Sequence, residues 1–294
     1  MYLGAIEAGG TKMICAIGTE KGQLLDRVSI PTEDPESTLG RMLDYFKTNK
    51  YKIDALGIAC FGPVELRTSS PKYGYITSTP KEGWADTDFA GYFKRGLDIP
   101  VGFDTDVNGA ILGEVTYGAA MGVENALYIT VGTGIGVGVF CGGRLVHGMM
   151  HPEGGHILMR KHPEDDFHGI CPFHGDCLEG LSSGPAIEKR WGLPGHELTD
   201  NEKVWELESF YLGQAIADYI LVYSPEKIIL WGGVMHQPGL FELVRKKVKE
   251  FLNGYICSDI IMNTDLSDYI VAPGCGENAG IAGALRLACP PYCH

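Results

Sequence analysis

The sequence has little positive charge. It contains 24 lysine and arginine residues against 37 aspartate and glutamate residues, a formal net charge of −13 over 294 residues. A surface this acidic disfavours nucleic acid and anionic membranes as partners. No apolar run approaches the length that spans a bilayer, and residues 1–6 lack the basic segment that begins a signal peptide. These absences predict a cytoplasmic location without a membrane or nucleic-acid partner.

The sequence also lacks the features of several other classes. Its nine cysteines are an odd number at irregular spacing, which argues against a disulfide framework. We find no linker, low-complexity tract or block of charge, and the length allows one large domain or two of ordinary size. No glycine turn fits a Walker A or Rossmann fingerprint. A nucleotide would therefore need its phosphates bound by local N–H groups, a lysine or a metal.

One loop concentrates metal-ligand side chains. Cys171, His174 and Cys177 fall within seven residues, and His156 lies upstream of them. Thiolate and neutral imidazole are ligands of tetrahedral zinc, and a set without an open position predicts a structural Zn²⁺ site. The surrounding loop, residues 153–179, is rich in proline and glycine, so a metal would replace the core that it lacks.

Other polar residues of this loop are open to more than one interpretation. Glu153 and Glu179 border the cluster, where carboxylates are well placed to bind hydroxyl groups of a ligand, although each alone is more often a solvated charge. We interpret the remaining histidines of the region as ordinary loop residues: His151, His162 and His168.

Two glycine turns share one plan, in which an apolar strand, a glycine-threonine turn and a second apolar strand follow one another. The first turn is residues 9–12 and the second is residues 132–134. Such repetition suggests two related halves. Two turns facing each other across a cleft would hold one polyphosphate between them. Taken alone, the first turn is more simply an ordinary hairpin.

Polar or glycine residues also follow three apolar strands. Gly62 and Pro63 come after a strand at 53–60, Asp106 after a strand at 99–103, and Gly232-Gly233 after a strand at 227–231. Ligands of α/β proteins bind at such strand ends. Simple helix capping is a common alternative for an aspartate there, and a tight turn explains the glycine pair equally well.

Together these segments resemble the ROK family of sugar kinases, in particular its bacterial fructokinase branch. The motifs are spread over almost the whole chain, and the metal loop preceded by Glu153-Gly-Gly-His156 is the most specific of them. The resemblance implies an actin-like ATPase (ribonuclease H-like) α/β fold with two domains around a cleft, in a homodimer. We expect residues 1–118 and 119–276 to form the domains, and a last helix at 277–290 to pack back on the first.

The resemblance implies a role for each matching residue. Asp106 would be the general base that takes the proton of a sugar hydroxyl as it attacks ATP. The expected sugar-binding residues are Gly62, Pro63, Asn108, Glu153, His156 and Glu179. The expected nucleotide-binding residues are Gly9, Gly10, Thr11, Lys12, Gly132, Thr133, Gly134, Gly232 and Gly233. His156, Cys171, His174 and Cys177 would hold Zn²⁺, and ATP would bring Mg²⁺.

Two departures from the family pattern bear on the substrate. Many members have aspartate in place of Glu7, which affects how Mg²⁺ is held, and many have asparagine in place of Thr105. Without that asparagine glucose is disfavoured, so we expect D-fructose, with mannose as a secondary substrate. The alternatives are a kinase for N-acetylmannosamine, glucose or mannose, and a sugar-sensing regulator without catalysis. Family repressors carry an N-terminal helix-turn-helix, whereas a strand is predicted here from residue 2.

Overall fold

Two sheets of the same design form the frame of the molecule. The computed structural model describes residues 1–79 and 81–293. Each sheet has five strands, and in both sheets the strands lie side by side in the order third, second, first, fourth and fifth along the chain. In both sheets an antiparallel meander of three strands is extended by two parallel strands. The repeated glycine turns thus belong to two related halves, as the sequence predicted.

The strands of the first sheet are β1 (Tyr2–Ala8), β2 (Lys12–Thr19), β3 (Leu24–Pro31), β4 (Ala55–Cys60) and β7 (Val101–Thr105), and a small ribbon joins β5 (Tyr75–Ile76) to β6 (Thr87–Asp88). The strands of the second sheet are β8 (Ala126–Val131), β9 (Ile135–Cys141), β10 (Arg144–Leu145), β11 (Lys227–Trp231) and β12 (Ile270–Val271). Central strands such as β4 are buried along their whole length, which explains why they read as continuous apolar runs.

The helices are α1 (Pro35–Thr48), α2 (Phe89–Leu97), α3 (Asp106–Tyr117), α4 (Leu178–Ser182), α5 (Gly184–Trp191), α6 (Glu202–Tyr223), α7 (Leu240–Leu252), α8 (Asp259–Asn263) and α9 (Ala279–Leu287). Single 3-10 turns lie at Gly154–His156, Gly195–Glu197, Gly233–His236 and Gly276–Asn278. Within the described ranges, no helix has both the length and the apolar character that crossing a membrane requires.

Helix α2 lies in a segment, residues 65–98, where the sequence pattern predicts no regular element. Asp88 caps α2 by accepting a hydrogen bond from Gly91 N, and Asp98 ends it in a left-handed conformation. Glycines within its nine residues obscure the helical pattern. Trp84 and Phe89 are fully buried in the core of the first half.

Helices and sheets alternate in layers. Apolar side chains of α1 and α2 cover the outer face of the first sheet, and those of α6 and α7 cover the outer face of the second. Helices α3 and α9 lie between the two sheets. They cross so closely that a Cβ on Gly283 would lie 1.6 Å from the carbonyl oxygen of Gly109. Only glycine permits this approach, which brings the two sheets onto one shared core.

This arrangement gathers the candidate residues at strand ends. Strands β1, β4 and β7 are parallel, so the turn at 9–11, Gly62-Pro63 and Asp106 all follow the same edge of the first sheet. Strands β8 and β11 are parallel too, which puts the turn at 132–134 and Gly232-Gly233 at one edge of the second. The fold therefore places the candidate polar and glycine residues at one edge of each sheet.

Candidate active site

Asp106 is the first residue of α3, directly after β7. Thr105 caps this helix by accepting a hydrogen bond from Asn108 N, and Asp106 Oδ1 accepts one from Val107 N at 2.9 Å. Burial raises the pKa of Asp106 to about 6, although backbone hydrogen bonds lower it in part. A carboxyl group with this pKa is ionised at neutral pH and is a stronger base than an exposed aspartate.

Two other carboxyl groups share the electrostatic environment of Asp106. Burial raises the pKa of Glu7, at the end of β1, to about 7, and the charge of Asp106 adds to this rise. Burial and then the charge of Asp106 likewise raise the pKa of Glu153 to about 7. The structure thus brings the strand ends of the first half and the start of the metal loop together around Asp106.

Glu7 meets the requirements of a residue that binds a cation. Its Oε2 is buried without a hydrogen-bond partner, and its carboxyl group packs so closely on α9 that a Cβ on Gly280 would lie 2.6 Å from Glu7 Cδ. An ionised carboxylate with an unpaired buried oxygen is unstable unless a positive charge lies nearby. Magnesium, alone or with ATP, fits this position.

The four predicted zinc ligands form one cluster. One ligand atom from each of His156, Cys171, His174 and Cys177 lies within 4.8 Å of the others. His156 Nδ1 is 3.7 Å from Cys171 Sγ and 3.5 Å from Cys177 Sγ. Paired backbone hydrogen bonds between Cys171 and Gly175 close the turn that presents the ligands. Two thiols and two imidazoles at this spacing fit tetrahedral Zn²⁺.

The second ring nitrogen of His156 faces away from the sulfur atoms. His156 Nε2 is 3.8 Å from Glu179 Oε1. Glu179 Oε2 accepts a hydrogen bond from Ile135 N at 2.9 Å, and it lies 2.7 Å from where a Cβ of Gly134 would be. The metal loop is therefore held against the second glycine turn, and a metal bound at Nδ1 would leave Nε2 free to donate.

Both glycine turns leave backbone accessible. Gly9 N donates to Lys12 O at 3.0 Å and Gly132 N donates to Gly134 O at 2.9 Å. No atom lies within 4 Å of where a Cβ would stand on Gly10, Gly132 or Gly233. Gly232 has a φ of 108°, a conformation that favours glycine. The turns thus present open backbone and, in the first, the exposed side chains of Thr11 and Lys12.

Asn108 differs from the other predicted sugar-binding residues. It is 1% exposed, its Nδ2 donates to Asp104 Oδ1 at 2.8 Å and its Oδ1 accepts from Val139 N at 3.4 Å. Both polar groups are used inside the protein, so they brace β7 and β9 behind Asp106. A direct contact between Asn108 and a sugar stays a prediction.

Two histidines that sequence reasoning did not single out lie at this site. The interpretation of His151 as an ordinary loop residue is wrong, because the side chain is buried and its Nε2 accepts a hydrogen bond from Val64 N. His147 Nε2 is 2.8 Å from Asp104 Oδ2, and this contact raises the pKa of His147. The chain spacing gives no signal for either contact.

Comparison with known proteins decides the family. The model described as "ROK family" matches residues 3–290. The chain belongs to the ROK family. A Bacillus subtilis relative is 50% identical to this ROK protein over 286 residues, which are 97% of this chain and 95% of the relative. A fructokinase from Pediococcus pentosaceus is 47% identical over 288 residues, 98% of each chain.

The solved structures give the fold. The ROK hexokinase from Thermus thermophilus superposes with a TM-score of 0.81 at 26% identity, and the match covers 98% of each chain. This ROK protein therefore has the actin-like ATPase fold that its motifs implied. The exact domain boundary at residue 118 stays a prediction.

Proposed function

We propose that this ROK protein transfers the γ-phosphoryl group of ATP to a hydroxyl of D-fructose. The observation that carries the proposal is Asp106, a carboxylate of raised pKa at the edge where β1, β4 and β7 end. Similarity to fructokinases over nearly the full length supports both the reaction and the sugar. The acidic residues and open turns around Asp106 supply the remaining requirements of such a transfer.

Asp106 acts as the general base. Its Oδ1 is held by Val107 N, so Oδ2 is the oxygen available to accept the proton of the attacking hydroxyl. The hydroxyl oxygen then bonds to the γ-phosphorus as the bond to the β-phosphate oxygen breaks, and ADP leaves. Mg²⁺ would neutralise the charge that develops on the phosphates, and Glu7 is the residue that would hold it directly or through water.

The sugar lies between the two halves in this proposal. Glu153 and Glu179 accept hydrogen bonds from its hydroxyl groups, and His156 donates one from Nε2. Gly62 and Pro63 form the facing wall. A bound Zn²⁺ would fix the ring of His156 through Nδ1, which keeps the proton on the nitrogen that faces Glu179. Sugar binding thus depends on the metal loop as well as on Asp106.

The nucleotide occupies the two glycine turns. Backbone N–H groups at Gly10 and Thr133 and the Lys12 side chain approach the phosphates, whose negative charge the acidic surface would otherwise repel. Thr11 and Thr133 add hydroxyl donors. The nucleoside lies on Gly232 and Gly233, where the strand end has no side chain to obstruct a flat ring.

Location and assembly are part of the same proposal. We place the reaction in the cytoplasm, where ATP is available and the nine cysteines stay reduced. We take the active form to be a homodimer, as the resemblance to the family implies. Exposed apolar side chains near the metal loop support a second copy as partner: Met149, Leu158 and Phe173.

A sugar panel with one variant tests the proposal. Purified protein with ATP and Mg²⁺ should phosphorylate fructose with a higher kcat/KM than mannose, glucose or N-acetylmannosamine. Asp106→Asn should lower kcat by about 10²- to 10⁴-fold, the usual contribution of a general base, and leave fructose binding by calorimetry nearly unchanged. Asp44→Asn, on the exposed face of α1, is the control.

The outcomes are distinct. Turnover of another sugar with higher kcat/KM replaces fructose as substrate but keeps the reaction. Binding of fructose without ATP turnover indicates a sensor. An Asp106→Asn enzyme as active as the Asp44→Asn control shows that the base is another residue.

A further inference from the structure

His151 connects the two walls of the proposed sugar site. Its side chain is 3% exposed. Nε2 accepts a hydrogen bond from Val64 N at 3.1 Å, directly after Gly62 and Pro63. On the other side of the ring, Nδ1 is 3.3 Å from Glu153 Oε1. One buried ring therefore contacts a backbone group of the first half and a carboxylate of the second.

The partner at Nε2 determines where the ring proton lies. A backbone N–H can only donate, so Nε2 must be the unprotonated nitrogen and the neutral ring carries its proton on Nδ1. Burial lowers the pKa of His151, which favours this neutral form. A backbone hydrogen bond with Pro152 and then the charge of Asp104 oppose this lowering of the pKa, whereas His147 adds to it. The Nδ1–H is thus the donor that lies beside the carboxylate of Glu153.

Glu153 needs such a donor. Its carboxyl group is 39% exposed, with Asp106 and Glu179 near enough for their negative charges to oppose its ionisation. A neighbouring N–H stabilises the ionised form and limits rotation of the side chain. Gly62 borders the same ring, since a Cβ there would lie 3.4 Å from His151 Cε1.

We propose that His151 is a positioning residue that fixes Glu153 for a sugar hydroxyl, with its tautomer set by Val64 N of the facing wall. The inference rests on the proposed function, because Glu153 acts there as a sugar ligand. His151 itself touches no reacting atom. Its effect should fall on recognition of the sugar and not on the nucleotide.

Three substitutions separate the two contacts of the ring. Asparagine places an amide at the position of Nδ1, so His151→Asn keeps a donor for Glu153. Glutamine places one at the position of Nε2, so His151→Gln keeps an acceptor for Val64 N. His151→Ala keeps neither. His196→Asn, at an exposed histidine far along the chain, is the matched control.

We expect His151→Ala and His151→Gln to raise the KM for fructose about tenfold or more, the loss typical of a hydrogen bond to a charged group. His151→Asn should stay within about threefold of the parent protein. The KM for ATP should change less than about twofold in all three variants. In a double-mutant cycle, adding His151→Ala to Glu153→Gln should raise the KM for fructose little further.

Results that would overturn the role of His151 differ from those that would overturn the proposed function. If His151→Ala binds fructose as tightly as the parent protein, or if the KM for ATP rises equally, His151 is not a positioning residue. Equal losses in the Asn and Gln variants also overturn the inference, and this contrast decides the matter if the Ala variant does not fold. Fructose binding by calorimetry reports on His151 even if the parent protein lacks turnover. A parent protein that neither binds nor phosphorylates a hexose overturns both proposals.

Discussion

Glu208, on α6, is a carboxyl group without a hydrogen-bond partner. Glu208 is 1% exposed, and neither of its carboxyl oxygens forms a hydrogen bond within the described part of the chain. Burial raises its pKa well above the usual value, although the charge of Arg190 opposes this rise. The folded protein therefore keeps Glu208 protonated at pH values where the unfolded chain ionises it.

This protonation makes stability depend on pH. Because the folded pKa is raised, the contribution of Glu208 to stability is fully present below the unfolded pKa, about 4.3. It is lost as pH rises toward the folded pKa, by up to about 1.4 kcal/mol per pH unit. Glu208→Gln cannot ionise, so its free energy of unfolding should fall less steeply with rising pH than that of the parent protein.

Denaturant unfolding at several pH values between 5 and 8 measures this slope. Glu206→Gln, at an exposed position two residues earlier on the same helix, should keep the slope of the parent protein. Parallel stability curves for the Glu208→Gln and parent proteins would show that Glu208 is ionised in the folded state.

At the residue scale, the sequence indicated functional residues where the groups that act together lie close in the chain. Three of the four metal ligands lie within seven residues. Asp106 lies where a strand ends and a helix begins. By contrast, the hydrogen bond between His151 and Val64 spans 87 positions, and the contact between His147 and Asp104 spans 43. No local sequence pattern indicates contacts over such separations. Only the fold shows that His151 lies beside Glu153 and that His147 lies beside Asp104.

At the scale of elements, the metal loop is the segment least able to fold by itself. Between the 3-10 turn Gly154–His156 and α4 its regular strand pairing consists of two isolated bridges, Leu158 with Cys177 and Cys171 with Gly175. Side chains of α5 and α6 hold other parts of the loop through hydrogen bonds to Arg160 and Asp165. Cys171 and Cys177 are buried, whereas Phe173 between them is exposed. A metal at the four ligands would supply the missing cohesion.

Removal of the metal should therefore weaken both stability and sugar binding. We expect about one zinc per chain in purified protein. A strong chelator or Cys171→Ser should lower Tm by about 5 °C or more and raise the KM for fructose, because His156 and Glu179 lose their support. Metal analysis, thermal unfolding and kinetics measure these changes.

Cys257→Ser, at an exposed thiol outside the loop, should change none of these quantities. Protein that contains no metal and melts at the same temperature with and without chelator would contradict the zinc assignment. A melting change without a change in the KM for fructose would separate the loop from the sugar.

Helix α2 shows what limits prediction at this scale. Continuous apolar runs made the central strands evident, and the strands predicted at 53–60, 99–103 and 227–231 agree closely with β4, β7 and β11. The nine residues of α2 include Gly91 and Gly96, which lower helical propensity, yet packing of Phe89 and Phe93 on the first sheet stabilises the helix. Tertiary burial overrides propensity here.

At the scale of the molecule, repetition was the predictable feature. Two similar glycine turns implied two related halves, and the two sheets have the same strand order. The position of α3 and α9 between the sheets was harder to predict, because it depends on contacts between small residues far apart in the chain. The expected boundaries at 118 and 276 fall in the segments that connect the halves, but no sequence pattern indicated how these segments pack.

Those connecting segments meet at one carboxylate. The chain leaves α3 through residues 118–125 and returns from β12 through residues 272–278. Glu114, which is fully buried, accepts hydrogen bonds from Ala119 N at 2.7 Å, Gly274 N at 2.8 Å and Cys275 N at 2.9 Å. The connections also touch, because a Cβ on Gly274 would lie 2.5 Å from Ala119 N.

Glu114 should consequently control both connections at once. In Glu114→Gln one acceptor oxygen becomes an NH₂ donor that faces backbone donors, so we expect a loss of about 2–3 kcal/mol in the free energy of unfolding. Hydrogen exchange should accelerate in 118–125 and in 272–278 together. Glu124→Gln, at an exposed position in the first connection, should leave both unchanged. Faster exchange in only one segment would mean that the connections open independently, whereas a joint response means that Glu114 couples the two connections.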